Sequence, residues 1–125
     1  MATVLIVEDE DQVRVLAESY LREQGHQTVS AATAEEALAV FDVVGRIDVM
    51  FTDVILKGDL HAGLDMAKEA VGRRPDLKVL FTTGSAITDG LKAMMVEKSA
   101  VLEKPYTVDQ LQAALSVHFG INPSP

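Results

Sequence analysis

Hydrophobic and polar positions along the chain follow two regimes. Short, nearly unbroken apolar runs occupy Thr3 to Val7, Thr28 to Ala31, Asp48 to Thr52, Lys78 to Thr82 and Ala100 to Leu102. Runs this short and this apolar fit strands buried on both faces. Between them the apolar residues recur at helical intervals. The sets are Val13, Leu16, Ala17, Tyr20 and Leu21; Ala34, Ala37, Leu38 and Phe41; Leu64, Ala67 and Val71; Ile87, Leu91, Met94 and Met95; and Leu111, Ala114, Leu115 and His118. Spacings of three and four put each set on one stripe of a helix. Thr33 with Glu36, and Thr107 with Gln110, have the Ser/Thr-x-x-Glu/Gln form of a helix start, while Pro75 and Gly120 lie just past helix ends.

A strand followed by a helix, repeated five times, predicts an α/β fold. Right-handed crossovers then make the sheet parallel and place helices on both of its faces. No stretch is left over for a linker or a second unit. The expected organisation is one domain over residues 1–120 and a short frayed tail over residues 121–125, Ile-Asn-Pro-Ser-Pro.

Composition narrows the function. A chain of 125 residues with 48% hydrophobic content can bury a proper core. The 19 acidic and 11 basic side chains give a formal net charge of -8, and the longest basic cluster is Arg73-Arg74. Direct binding to nucleic acid or to an anionic membrane needs a basic face, so both are disfavoured. There is no cysteine, hence no disulfide framework and no thiolate metal site. The start lacks the charged and apolar regions of a secretory signal, and no 18-residue apolar stretch follows. The expectation is a soluble, cytoplasmic protein.

In an open α/β sheet, ligands collect beyond the carboxyl ends of the strands. The sequence places Glu8 and Asp9 after the first strand, Asp53 at the end of the third, Thr83 and Gly84 after the fourth, and Lys104 and Pro105 after the fifth. Three carboxylates so close would repel one another unless something positive sat among them. Carboxylate oxygens suit a hard divalent cation such as Mg2+. An aspartate beside such an ion can act as a nucleophile toward phosphorus, with a lysine and a hydroxyl completing the clamp. Glu10 and Asp11 read as helix-start residues favoured by the macrodipole. His26, His61 and His118 are scattered without ligand spacing and read as structural or solvated.

The segments VLIVEDED, FTDV, FTTG and LEKPY, in this order, resemble the receiver domain of bacterial two-component response regulators, over Val4 to Phe119. The run VLFTTG is similar to the Phe-x-Thr-Gly signature of a single-domain subgroup. The resemblance implies a flavodoxin-like, doubly wound (βα)5 fold with strand order 2-1-3-4-5. It implies that Asp53 accepts a phosphoryl group from a sensor histidine kinase. By the same resemblance Asp9, Asp53 and the backbone carbonyl of Ile55 ligate Mg2+, and Glu8 holds the ion through water. Thr83 and Lys104 then pair with the phosphoryl group, and the Lys104-Pro105 bond is cis. Such a module is a signalling switch and not a conventional enzyme, although it catalyses its own phosphorylation and dephosphorylation. It acts through an unknown downstream protein, as a phosphate shuttle or sink, or as the receiver module of a hybrid histidine kinase, and a phosphorylation-dependent homodimer is among its states.

The chain departs from the family pattern in two places. DVILKGDLHAG reaches its glycine, Gly63, ten positions after Asp53 and without a proline, so the loop Val54–Gly63 is longer than usual. Val101 stands where the family has an aromatic switch residue, which shifts the expected movement to Ser85 to Met95. Output is expected on the face of helix four, strand five and helix five. The Ile55 side chain offers no hydrogen bond to a hydrolytic water, which predicts slow loss of the phosphoryl group. A haloacid-dehalogenase-like phosphatase is the enzymatic alternative, but it needs a second acid where Ile55 stands. A flavin module would need a phosphate loop where Glu-Asp-Glu-Asp stands.

Overall fold

The structure, a computed structural model, describes residues 2–59, 61–84 and 86–123. The elements alternate throughout: β1 (Thr3–Val7), α1 (Asp11–Glu23), β2 (Gln27–Ala31), α2 (Ala34–Val43), β3 (Val49–Asp53), α3 (Ala62–Arg73), β4 (Lys78–Thr83), α4 (Asp89–Ala93), β5 (Ser99–Glu103) and α5 (Val108–Phe119). The five strands form one parallel sheet in the order β2-β1-β3-β4-β5, as expected. The order reverses at β1, which lies between β2 and β3 in register Val7 with Ala31 and Val7 with Thr52.

Alternation along the strands builds two cores. Val4 and Ile6 of β1 face one side with Val49, Phe51, Leu80, Leu111 and Leu115, under α1 and α5. Leu5 and Val7 face the other with Phe41, Met50, Leu64, Val79 and Phe81, under α2 and α3. A fully buried side chain such as Phe41 or Leu111 contributes about 1.5–3 kcal/mol relative to exposure. Burial on both faces holds for β1, β3 and β4, whereas β2 is only partly covered. Its place at the sheet edge, with one strand neighbour, explains the difference.

The helices show three departures from the periodic stripes. On α1 the buried residues are Ala17 and Leu21, and Leu16 is 60% exposed. On α5 His118 is exposed, on the flank of the stripe. The fourth helix is the largest departure: α4 runs only over Asp89–Ala93 and buries none of its residues. Its start is fixed by Thr88, whose hydroxyl accepts from the Leu91 N–H at 3.1 Å, and Gly90 within it disfavours helix. Leu91 and Met95 still pack, half-buried, against the α2–α3 core, and Ile87 is half-buried. Ser85, the start of the segment expected to move, lies outside the described residues.

Ends and turns follow local chemistry. Thr107 and Gln110 make both hydrogen bonds of a capping box, and Thr33 accepts from the Glu36 N–H at 3.1 Å. Gly120 closes α5 with φ 68°, the left-handed value glycine tolerates best. Ile121, the first residue past Gly120, is tied to α5. The Ile121 N–H donates to the Leu115 carbonyl, and the Ile121 carbonyl accepts from the Gln112 amide at 3.0 Å and the Ser116 hydroxyl at 3.1 Å. Ser124 and Pro125 lie outside the described residues. Among the described residues no helix is long and apolar enough to cross a membrane.

Candidate functional site

The carboxyl ends of β1 and β3, adjacent strands at the point where the order reverses, bring Glu8 and Asp9 against Asp53. Oxygens of all three carboxylates lie within 4.8 Å of one another. Glu8 is 5% exposed and Asp53 8% exposed, so solvent does little to separate their charges. Lys104, just past β5, supplies the counter-charge. Its ammonium donates to Asp53 Oδ2 at 2.7 Å and to Glu8 Oε2 at 3.1 Å.

Backbone bonds hold this group in place. The Lys104 N–H donates to the Thr83 carbonyl at 2.8 Å, and the Val54 N–H to the Thr82 carbonyl at 2.9 Å. Lys104-Pro105 is cis, as the family resemblance implied. Thr83 itself is buried at the end of β4. On the other side α3 is pressed onto the end of β3. The Gly63 N–H donates to the Val54 carbonyl at 3.0 Å. A Cβ on Gly63 would come within 2.8 Å of that carbonyl oxygen and closer still to the Asp53 carbonyl, so only glycine fits.

The protonation equilibria follow the geometry. Burial pushes the Glu8 carboxyl above its ordinary range; Lys104 pulls it back down and the Asp53 charge pushes it up again. For Lys104 burial acts downward, but the hydrogen bond and charge of Asp53, followed by those of Glu8, outweigh it and hold the ammonium up at about 12. Tyr106, whose ring meets Phe51 edge-on at 5.8 Å, is also pushed up to about 12, by burial first and then by the negative charge of Glu8. The phenol therefore stays neutral beside the carboxylates.

The remaining acids of the opening run have separate partners. Arg14 donates to the Glu8 carbonyl at 2.8 Å and to Asp11 at 2.7 Å, while Glu10 is the N-cap of α1 and Asp11 lies in its first turn. Asp9 accepts from the Lys57 N–H at 3.0 Å. Arg14 and Lys57 are parts of the site that motif reading did not find, and Tyr106, inside LEKPY, had no role assigned by it. The dipeptide Lys57-Gly58, followed by Asp59, was the available signal for a turn, but nothing local says that it reaches Asp9.

Three close carboxylates fit a small hard cation by donor chemistry, and a lysine on Asp53 fits an anionic group arriving there. A match to the response regulator receiver domain covers residues 4–116. The chain belongs to this family. Among relatives, the sensor kinase CckA of Brucella abortus is 32% identical over 112 residues, 88% of this receiver and 12% of that protein. The crystal structure of the receiver domain from the hybrid histidine kinase CckA is 31% identical, with TM-score 0.75, over 93% of this chain and 97% of that one. The response regulator protein TrrA of Thermotoga maritima, solved in complex with Mg2+-BeF, is 26% identical with TM-score 0.79, over 95% and 100%. This receiver spans 12% to 49% of the length of the first curated relatives it matches. Family membership makes it a module of two-component signal transduction, and the phosphatase alternative is not favoured.

The structure thus gathers Glu8, Asp9, Asp53 and Lys104 at one point, with Thr83 at the neighbouring strand end. Ile55 lies between Asp53 and a tight turn, and its side chain packs against the α2–α3 core. His26 is buried at the opposite end of the sheet, and His61 and His118 are exposed. Val101 is half-buried against the same core as Leu91 and Met95.

Proposed function

We propose that this receiver accepts a phosphoryl group from a sensor histidine kinase on Asp53. The unit that does so is residues 1–120, with 121–125 as a tail. The observation that carries the reading is the Lys104 ammonium, 2.7 Å from the Asp53 carboxylate, beside two further carboxylates. Asp9, Asp53 and the Ile55 carbonyl would hold Mg2+ directly, and Glu8 would hold it through water. When bound, the ion supplies positive charge against the phosphoryl oxygens and removes the repulsion between them and the carboxylates.

The chain's own groups then have defined tasks. An Asp53 oxygen attacks phosphorus while the bond from phosphorus to the donor imidazole nitrogen breaks, and that nitrogen leaves with the electron pair. Lys104, which now bridges Asp53 and Glu8, turns one donor toward a phosphoryl oxygen. The Thr83 hydroxyl, one residue beyond Thr82, the register partner of Asp53, pairs with another. Because transfer needs positioning and charge more than covalent machinery, this set suffices. Its self-directed catalysis does not extend to a separate substrate.

A partner protein has a way in. A groove of about 310 Å³ between α1 and the turn after β5 is lined by Glu10, Val13, Leu16, Lys104, Pro105 and Tyr106, and Leu16 is 60% exposed. That apolar rim supports docking of a kinase next to Asp53, in the cytoplasm. The likeness to the CckA receiver supports a module of a larger hybrid kinase as well as a free-standing regulator. The response is read on the α4–β5–α5 face by a downstream protein or a second copy. The test is incubation with acetyl phosphate and Mg2+. The expected result is one phosphoryl group on the wild type and none on Asp53→Ala; labelling of Asp53→Ala at the wild-type level overturns the reading.

A further inference from the structure

The lengthened loop after β3 is not irregular. Leu56 and Asp59 pair as an isolated antiparallel bridge, with the Asp59 N–H on the Leu56 carbonyl at 3.0 Å and the Leu56 N–H on the Asp59 carbonyl at 3.3 Å. Between them Lys57 has φ 51° and Gly58 φ 76°. Two successive left-handed residues inside such a bridge make the mirror-image two-residue turn of tight hairpins. Glycine or asparagine suits the first of those positions best, yet it is occupied by lysine. A side chain held in a disfavoured backbone conformation invites the question of what that conformation does.

What it does is aim one N–H. Lys57 donates to Asp9 Oδ2 at 3.0 Å, across 48 residues of sequence. Asp9 is half-exposed and, with Glu8 and Asp53 both within reach, would otherwise rotate its carboxylate toward water to escape their charge. One oxygen fixed by a backbone donor leaves the other, and a remaining lone pair, facing the acidic cluster. We propose that the Leu56–Asp59 turn is a backbone clamp on Asp9, and that the Lys57 N–H is the positioning group that sets the affinity of the carboxylate cluster for a divalent cation. This rests on the cation reading above. Hydrogen bonds of this kind, one step removed from the ion, typically change metal affinity 10- to 100-fold when lost.

The test disturbs the turn that aims the N–H. Gly58→Val places a β-branched residue at φ 76°, where it does not fit, although a Cβ there meets nothing within 4 Å. The turn opens without a clash in the core, and the Mg2+ dissociation constant rises about tenfold. Gly58→Ala, a milder change, gives an intermediate value and serves if the valine variant folds poorly. Mg2+ titration calorimetry reads the constants, and thermal melting without Mg2+ reads any purely structural role. Wild-type affinity in both Gly58 variants, with only the melting temperature lowered, overturns the clamp and leaves the cation reading standing. A wild type that takes up no Mg2+ in calorimetry overturns both.

Discussion

The two ends of the sheet are built on opposite terms. At the amino end, the Ala2 N–H donates to His26 Nδ1 at 3.3 Å, which leaves Nε2 as the protonated nitrogen, 3.2 Å from Gln112 Oε1. The Gln112 amide passes on to Ser116 Oγ at 3.1 Å and the Ile121 carbonyl at 3.0 Å. Every group in that relay is neutral and has a partner, so it ties the amino-terminal strand to α5 and the tail with nothing left over. At the carboxyl end, one ammonium serves two buried carboxylates with a third nearby. Buried polar groups stabilise only when satisfied, and an excess of like charge is satisfied by a ligand. One end is finished by the chain, and the other is left to be finished by what binds it.

Removing the single counter-charge breaks the contrast most severely. Lys104→Met leaves Glu8 and Asp53 buried and opposed, and urea unfolding is expected to show a loss of about 3 kcal/mol. Adding Asp53→Asn to that variant restores part of the loss; an additive further loss would mean that the carboxylates do not oppose each other. At the amino end, Gln112→Ala strands His26 Nε2 and leaves the Ile121 carbonyl with the Ser116 hydroxyl alone, for a loss of about 2 kcal/mol. The stabilisation by Mg2+ stays as in wild type, since the ends are independent; a reduced Mg2+ response would tie them together.

Alkaline pH weakens the carboxyl end selectively. The folded-state pKa of Lys104 stands at about 12, above the ordinary 10.5. The stability it contributes is complete below 10.5 and disappears as pH rises toward 12. With solvent screening allowed for, the loss is about 1–2 kcal/mol. Tyr106, raised to about 12 from 10.0, acts in the same direction, because the unfolded chain ionises its phenol first. Melting temperatures from pH 8 to 11.5 should fall less steeply in Lys104→Met than in wild type; parallel curves would contradict this. The smallest effect is the completing one. Mg2+ at ten times its dissociation constant adds about 1.4 kcal/mol by mass action, and Asp9→Asn removes most of the gain. An unchanged melting temperature of the wild type in millimolar Mg2+ counts against it.

The parts of this arrangement that sequence made legible are those set by local period or by strand ends. Val4 to Val7 and Val79 to Phe81 read as buried strands because no polar residue interrupts them, and Thr107 with Gln110 announced a cap that forms. Glu8, Asp53 and Lys104 were found together because a parallel sheet carries all its carboxyl ends to one edge. What escaped depends on position in the assembled fold. Leu16 has the spacing of a core residue but lies on the flank of α1 beside the open groove. Ile87, Leu91, Met94 and Met95 have helical spacing, yet Thr88 and Gly90 restrict the helix to one short turn and a half. His26 gave no sign of burial, since its partners are an N-terminal amide and a glutamine 86 residues away. Ile121 looked free among prolines, and two side chains of α5 hold its carbonyl.

Gly63 resolves an oddity of loop length. Its lack of a side chain is demanded by the backbone at the end of β3, whose carbonyls stand where a methyl group would go. That demand concerns a point in space, whereas the count of residues from Asp53 is set by whatever turn intervenes, and the tight hairpin at Leu56–Asp59 absorbs length without moving the contact. Alignment by counting from Asp53 would therefore misplace this glycine, and a designer shortening the loop gives up the Lys57 N–H on Asp9 by cutting the hairpin, yet in every version must keep a glycine where α3 meets β3.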